Sequence, residues 1–151
     1  MKKIIFALSM MIAALSNVAA VDATHGYSAA FSHAVMTGNI GFVNHRLDEG
    51  ANVNATNGLG GTYLHTAAAA GNGEMVNLLL DKGANVNAVN VGNSTPLHTA
   101  VLCGDANIVQ ILLSRGANAN IMNASDRTPL YYAGVNAHAE IVALLVPVTN
   151  N

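Results

Sequence analysis

Gly50-Ala51-Asn52-Val53-Asn54 returns as Gly83-Ala84-Asn85-Val86-Asn87 and again as Gly116-Ala117-Asn118-Ala119-Asn120, each time 33 residues further on. The register reaches well beyond these pentapeptides. Thr62, Thr95 and Thr128 keep it, as do Leu64, Leu97 and Leu130, and Ala34, Ala67, Ala100 and Ala133. Residues 57–89 and 90–122 agree at 14 of 33 positions without a gap. A fixed period of this length is the mark of a solenoid, whose units cannot bury their apolar faces alone and stack on their neighbours. Four units are expected, at about 24–56, 57–89, 90–122 and 123–149.

Each unit reads as two short helices and a turn. Thr95 before Pro96 marks a helix start: the hydroxyl caps free backbone N–H groups, and proline at the first helical position loses no bond. The helix predicted over Pro96–Cys103 ends at Gly104, since glycine takes up the left-handed backbone of a helix stop. A second helix is predicted over Ala106–Ser114, with Ile108, Val109, Leu112 and Leu113 at helical spacing and Gly116 as its stop. Helices of this length are marginal alone in water, so they must be held by packing.

Thr95-Pro96-Leu97-His98-Thr99-Ala100 is the ankyrin signature, and the whole unit resembles ankyrin repeats, including Gly71, Glu74-Met75-Val76, Leu78-Leu79-Leu80 and Gly83 to Ala88. The resemblance covers about residues 24–149. It implies an all-α solenoid of helix–turn–helix repeats with β-turn or hairpin fingers. It also implies structural roles for Thr62, Leu64, His65, Thr95, Pro96, Leu97, His98, Thr128, Pro129 and Leu130. Departures fall at the ends. Arg46 replaces the leucine of Leu79 and Leu112, as suits a polar outer cap. Tyr131 and Ala137 replace the histidine and glycine of the last unit, and alanine in a left-handed conformation costs roughly 1–2 kcal/mol. The final helix, expected over about 139–146, should stop at Pro147. Its aliphatics then face an end with no further repeat, which invites self-association.

The 151 residues are 52% apolar and only 9% charged, which excludes an intrinsically disordered chain. Met1-Lys2-Lys3, an apolar run over 4–15 and the small residues 16–20 read as a cleaved export signal over 1–20. This run of twelve residues, broken by Ser9, is too short to span a bilayer. A bacterial address is expected, in the periplasm or beyond it, with no membrane contact after cleavage. Without Lys2 and Lys3, four scattered basic residues face eight acidic ones. A surface that tracks phosphates needs clustered Lys and Arg, so nucleic acid is not an expected partner.

Little here points to chemistry. His65 and His98 share one register, which separates them by the spacing of a helix pair, about 8–10 Å, too far for two nitrogens to share a zinc. The carboxylates of Asp48, Glu49 and Asp81 read as solvated helix ends. No phosphate loop, nucleophile elbow or paired metal histidines occur in the sequence, so neither enzyme, cofactor nor metal is expected. The family's habit is to bind a protein through its concave face and turn tips. In this register those positions are Tyr27, Met36, Thr37, Leu59, Ala69, Ala70, Val91, Ser94, Leu102, Cys103, Ser125, Arg127, Val135 and Asn136. This stripe holds one full charge, Arg127. Two alternatives share the module: an effector acting on a host protein, and a redox-linked periplasmic factor using Cys103, the one cysteine.

Overall fold

The computed structural model describes residues 27–149; the expected export signal and the first residues of the first unit lie outside them. Among the described residues are eight helices: α1 (Ala29–Thr37), α2 (Ile40–Asp48), α3 (Tyr63–Ala69), α4 (Gly73–Asp81), α5 (Pro96–Cys103), α6 (Ala106–Ser114), α7 (Pro129–Val135) and α8 (Ala139–Thr149). They form four pairs in two layers. The first helices, α1, α3, α5 and α7, pack side by side, and so do the second helices, α2, α4, α6 and α8. Each helix also packs on its own partner. The connections at 49–62, 82–95 and 115–128 project as fingers without regular strands; an isolated bridge joins Thr56 and Thr62.

Glycine at the turn within each pair is required twice over. Gly38, Gly71 and Gly104 have φ of 75°, 67° and 72°, the left-handed region. A Cβ at these positions would also sit 2.6 Å from Asn72 Nδ2, 2.9 Å from Asp105 Oδ2 and 2.8 Å from His138 Cε1. Asn72 and Asp105 cap α4 and α6, accepting the N–H groups of Met75 and Ile108 at 3.0 Å. One residue thus starts a helix and presses on the glycine of the preceding pair. Ala137 stands where the fourth glycine would, and it takes the left-handed conformation, φ 56°. No further described pair presses on its methyl group, so only the conformational cost remains.

The core is one continuous row of aliphatics between the layers. Ala67, Ala100 and Ala133 are fully buried where neighbouring first helices meet. Met75, Ile108 and Ile141 are buried against the preceding pair, whereas Phe42 in the same register is 40% exposed at the open N-terminal end. Val43, Val76 and Val109 are completely buried against the following pair, and Val142 in their register is only half-buried. The two faces of every pair are therefore distinct.

Three expectations are corrected. The last helix does not stop at Pro147 but carries it inside the final turn, to Thr149. Proline there leaves the carbonyl of Ala143 without an N–H, and Ala143 is exposed, so water can satisfy it. Arg46 is no solvated cap: its side chain is 14% exposed and its guanidinium meets Glu49 at 2.9 Å. The helix-end carboxylates are not merely solvated. Asp48 pairs with Lys82, and Asp81 with Arg115 at 2.8 Å, each across one repeat step. These exposed pairs contribute at most about 1 kcal/mol each.

Candidate functional site

Cooperation between repeats places each candidate side chain. Thr95 starts α5, accepting the His98 N–H at 3.4 Å, and its own N–H reaches back to His98 Nδ1 at 3.2 Å. Thr62 and His65 share the N–H contact at 3.2 Å. On the other side of each ring, Nε2 donates to a carbonyl of the next finger: His65 to Ser94 at 3.0 Å, His98 to Arg127 at 3.1 Å. A carbonyl can only accept, so each Nε2 carries a proton; each Nδ1 accepts a threonine N–H and carries none, so both imidazoles are neutral. Burial pushes both below the usual imidazole range, partly offset by those carbonyls. Both nitrogens of each ring are consumed in tying a helix start to the neighbouring finger, so neither His65 nor His98 is free to act as a base. Among the described residues no group of three or more His, Cys, Asp or Glu side chains could hold a metal ion.

Asparagine does the remaining work, and the sequence reading did not single it out. Asn57, Asn90 and Asn123 each turn a side-chain oxygen onto two backbone N–H groups of their own finger, at 2.9–3.2 Å. Asn54 and Asn87 bridge to the next repeat, donating to Gly83 O and Gly116 O and accepting from Asn85 N and Asn118 N. The signal was present as asparagines recurring every 33 residues. Recurrence alone does not tell which backbone groups each asparagine ties, because those lie partly in the next repeat.

The row thus supported on the first helices is uncharged and partly apolar. None of α1, α3, α5 and α7 contains Asp, Glu, Lys or Arg. Near their C-terminal ends Met36, Ala69, Leu102 and Val135 occupy one register, and Thr37, Ala70, Cys103 and Asn136 the next; all eight are exposed. Because these helices lie side by side, the eight form a two-residue-wide row across the array. Leu59 and Val91 stand 70% and 73% exposed on neighbouring fingers, which are joined by Val91 N–H donating to Leu59 O at 3.0 Å. Ser125 and Arg127 are exposed on the next finger, where the Arg127 guanidinium lies 4.3 Å from the Tyr131 ring centroid. Cys103 Sγ sits 3.9 Å from Ala69 O.

Two candidate positions belong to the scaffold. Tyr27 is half-buried, its ring stacked on Tyr63 at 4.6 Å and its hydroxyl bonded to Ser32 at 2.5 Å. Ser94 is half-buried, with its carbonyl taken by His65. Of the signature residues, Leu64, Leu97 and Pro96 are buried, Pro129 also, while Thr128 and Leu130 are half-buried at the open end.

A helical solenoid whose first helices offer an uncharged, partly apolar row is a scaffold for holding another surface, without reactive groups converging on it. The ankyrin-repeat family model, a three-copy model, matches residues 9–90, 31–123 and 89–151. The chain belongs to the ankyrin repeat family, whose proteins are generally protein–protein interaction modules and typically non-enzymatic. No curated protein sequence matches the chain.

Proposed function

We propose that this chain is an exported, non-enzymatic, four-repeat module that binds a protein through the row on its first helices and its finger tips. The observation that carries this reading is the concentration of exposed apolar side chains on a face whose full charges are confined to Asp126 and Arg127 on the last finger. Met36, Leu59, Val91, Leu102 and Val135 are each more than half exposed. Exposed aliphatics clustered on one face mark contact sites, and full burial of each such side chain stabilises a complex by about 1.5–3 kcal/mol. The partner engages by shape and apolar contact, because charge steering has little to act on here. The address we propose is the periplasm of a Gram-negative bacterium or the medium beyond it, reached through the signal over 1–20. Finding Met1 retained on the exported protein would overturn cleavage of that signal.

The binding reading is tested by replacing Leu102 and Val135 with Asp together. Both side chains project into solvent, so the melting temperature should hold while capture of the partner from the exported fraction is lost. Unchanged capture would move the site off this face. We also propose self-association through the last repeat, on the exposure of Tyr131, Val146 and Val148 at 44%, 40% and 40%. Sedimentation that finds only monomer at high concentration would refute it.

A further inference from the structure

The sequence contains two Asn-Gly pairs among its described residues, Asn57-Gly58 and Asn72-Gly73, and the fold treats them oppositely. Asn57-Gly58 lies on a finger, where Gly58 and Leu59 are exposed and a Cβ at Gly58 would meet nothing within 4 Å. Asn57 Oδ1 accepts Leu59 N–H and Gly61 N–H, both at 2.9 Å. Two N–H groups on one amide oxygen polarise the Asn57 carbonyl and stabilise negative charge that develops there, as an oxyanion hole does. Asn72-Gly73, by contrast, starts α4. Asn72 Oδ1 accepts a single N–H, from Met75, and its amide lies against Gly38. Gly73 is pressed by α6, since a Cβ there would fall 3.1 Å from Ile111 Cδ1 and 3.2 Å from Asn107 Nδ2.

We propose that Asn57-Gly58 is a self-modifying site, at which the folded protein converts an amide into a carboxylate. The Gly58 N–H gives its proton to hydroxide, and the nitrogen attacks Asn57 Cγ, placing charge on Oδ1. That attack forms the Cγ–N bond; collapse of the adduct breaks the Cγ–Nδ2 bond and leaves a five-membered imide, while Nδ2 takes a proton back from water and departs as ammonia. Water then opens the ring at either carbonyl. One opening restores the normal backbone with aspartate at position 57; the other leaves an isoaspartyl link through the side chain. The net change is water in and ammonia out, with no oxidation or reduction.

The other two fingers are internal controls. Asn90 and Asn123 present their oxygens to the same pair of N–H groups. The residues that follow them are Val91 and Ala124, which carry a Cβ beside the attacking nitrogen where Gly58 has none. The N–H groups of Val91 and Ala124 are also bound, to Leu59 O and Gly92 O at 3.0 and 2.8 Å. An attacking nitrogen held about 1 Å off line loses about a hundredfold in rate.

The two products differ in consequence. An ordinary aspartate retains both N–H bonds, now to a charged acceptor, which strengthens them. The isoaspartyl link lengthens the backbone by a methylene and shifts Leu59, whose carbonyl holds the neighbouring finger through Val91 N–H. This inference stands whether or not the finger contacts a protein partner.

The test is peptide mapping by mass spectrometry of the full chain incubated folded at mildly alkaline pH, with isoaspartyl linkages labelled by an isoaspartyl methyltransferase. The folded chain should gain the mass of an NH2-to-OH exchange at Asn57 about tenfold or more faster than at Asn72, Asn90 or Asn123. Gly58→Ala, which adds a methyl group in open space, should slow position 57 to the rate of Asn123 while leaving the melting temperature unchanged. In urea the two Asn-Gly pairs should react alike. Modification of Asn72 as fast as Asn57 in the folded chain would overturn the proposal, as would a rate at Asn57 indifferent to Gly58→Ala.

Discussion

Gly104→Ala and Ala137→Gly exchange the two residue types at one register position and should move stability in opposite directions. At Gly104 the backbone is left-handed, φ 72°, and the new Cβ would fall 2.8 Å from His138 Cε1. The conformational term is roughly 1–2 kcal/mol, displacing the imidazole from the following pair adds about 1–2 more, and reduced unfolded-state freedom returns about 0.4–1, leaving about 2–3 kcal/mol in all. Ala137 already bears the conformational term, at φ 56°, and has no described neighbour to clash with. Ala137→Gly removes that strain but adds unfolded-state freedom worth about 0.4–1 kcal/mol, so the net gain is up to ~1 kcal/mol. A domain of this size shifts its melting temperature by about 4 °C per kcal/mol. Thermal unfolding followed by circular dichroism should therefore show Gly104→Ala melting about 8–12 °C lower and Ala137→Gly up to about 4 °C higher. A neutral Gly104→Ala would refute the account of how successive pairs touch. A destabilised Ala137→Gly would refute the claim that strain is stored at the last turn.

Acidification should weaken the fold. Burial lowers the pKa of His65 and His98 from the ordinary 6.5, so the neutral rings stabilise the folded state fully above that pH. That stability is lost as pH falls below 6.5 and through the folded-state values, at up to ~1.4 kcal/mol per pH unit for each ring. Urea midpoints that stay flat or rise between about pH 7.5 and pH 5.5 would contradict neutral, Nε2-protonated histidines. Ala100→Leu, where first helices meet without exposed surface, should cost about 1–3 kcal/mol, and Ala124→Leu on an exposed finger should cost little. Equal melting temperatures for those two variants would contradict the repeat register.

Most of the fold is legible in the sequence because each repeat restates it. Thr-Pro starts and glycine stops place α5 and α6 at the residues where the structure has them, and one reading serves every unit. What escaped reading depends on the step between repeats, which periodicity within a unit does not encode. Asp48 and Lys82 look like solvated ends until the rise of one repeat brings them together. Arg46 reads as a polar cap, yet its long aliphatic stem lets it fold against the layer and send only its head to Glu49. Pro147 stops a helix by local rules, but in a final turn the carbonyl it orphans is already in water. The candidate face is legible to the extent that register determines exposure, as with Leu102 and Val135. Tyr27 and Ser94 are the exceptions: Tyr63 stands where later repeats have proline and offers its ring as a stacking partner to Tyr27, and the His65 ring of the preceding repeat ties down Ser94.

The most direct test of the central claim is site-specific photo-crosslinking in the exported fraction. A photoreactive residue would replace Leu102 in α5 in one protein and Gln110, exposed on α6, in another. The account predicts a discrete covalent adduct with one protein partner from position 102 and none from position 110. Adducts from position 110 alone would place the partner on the second helices and contradict it.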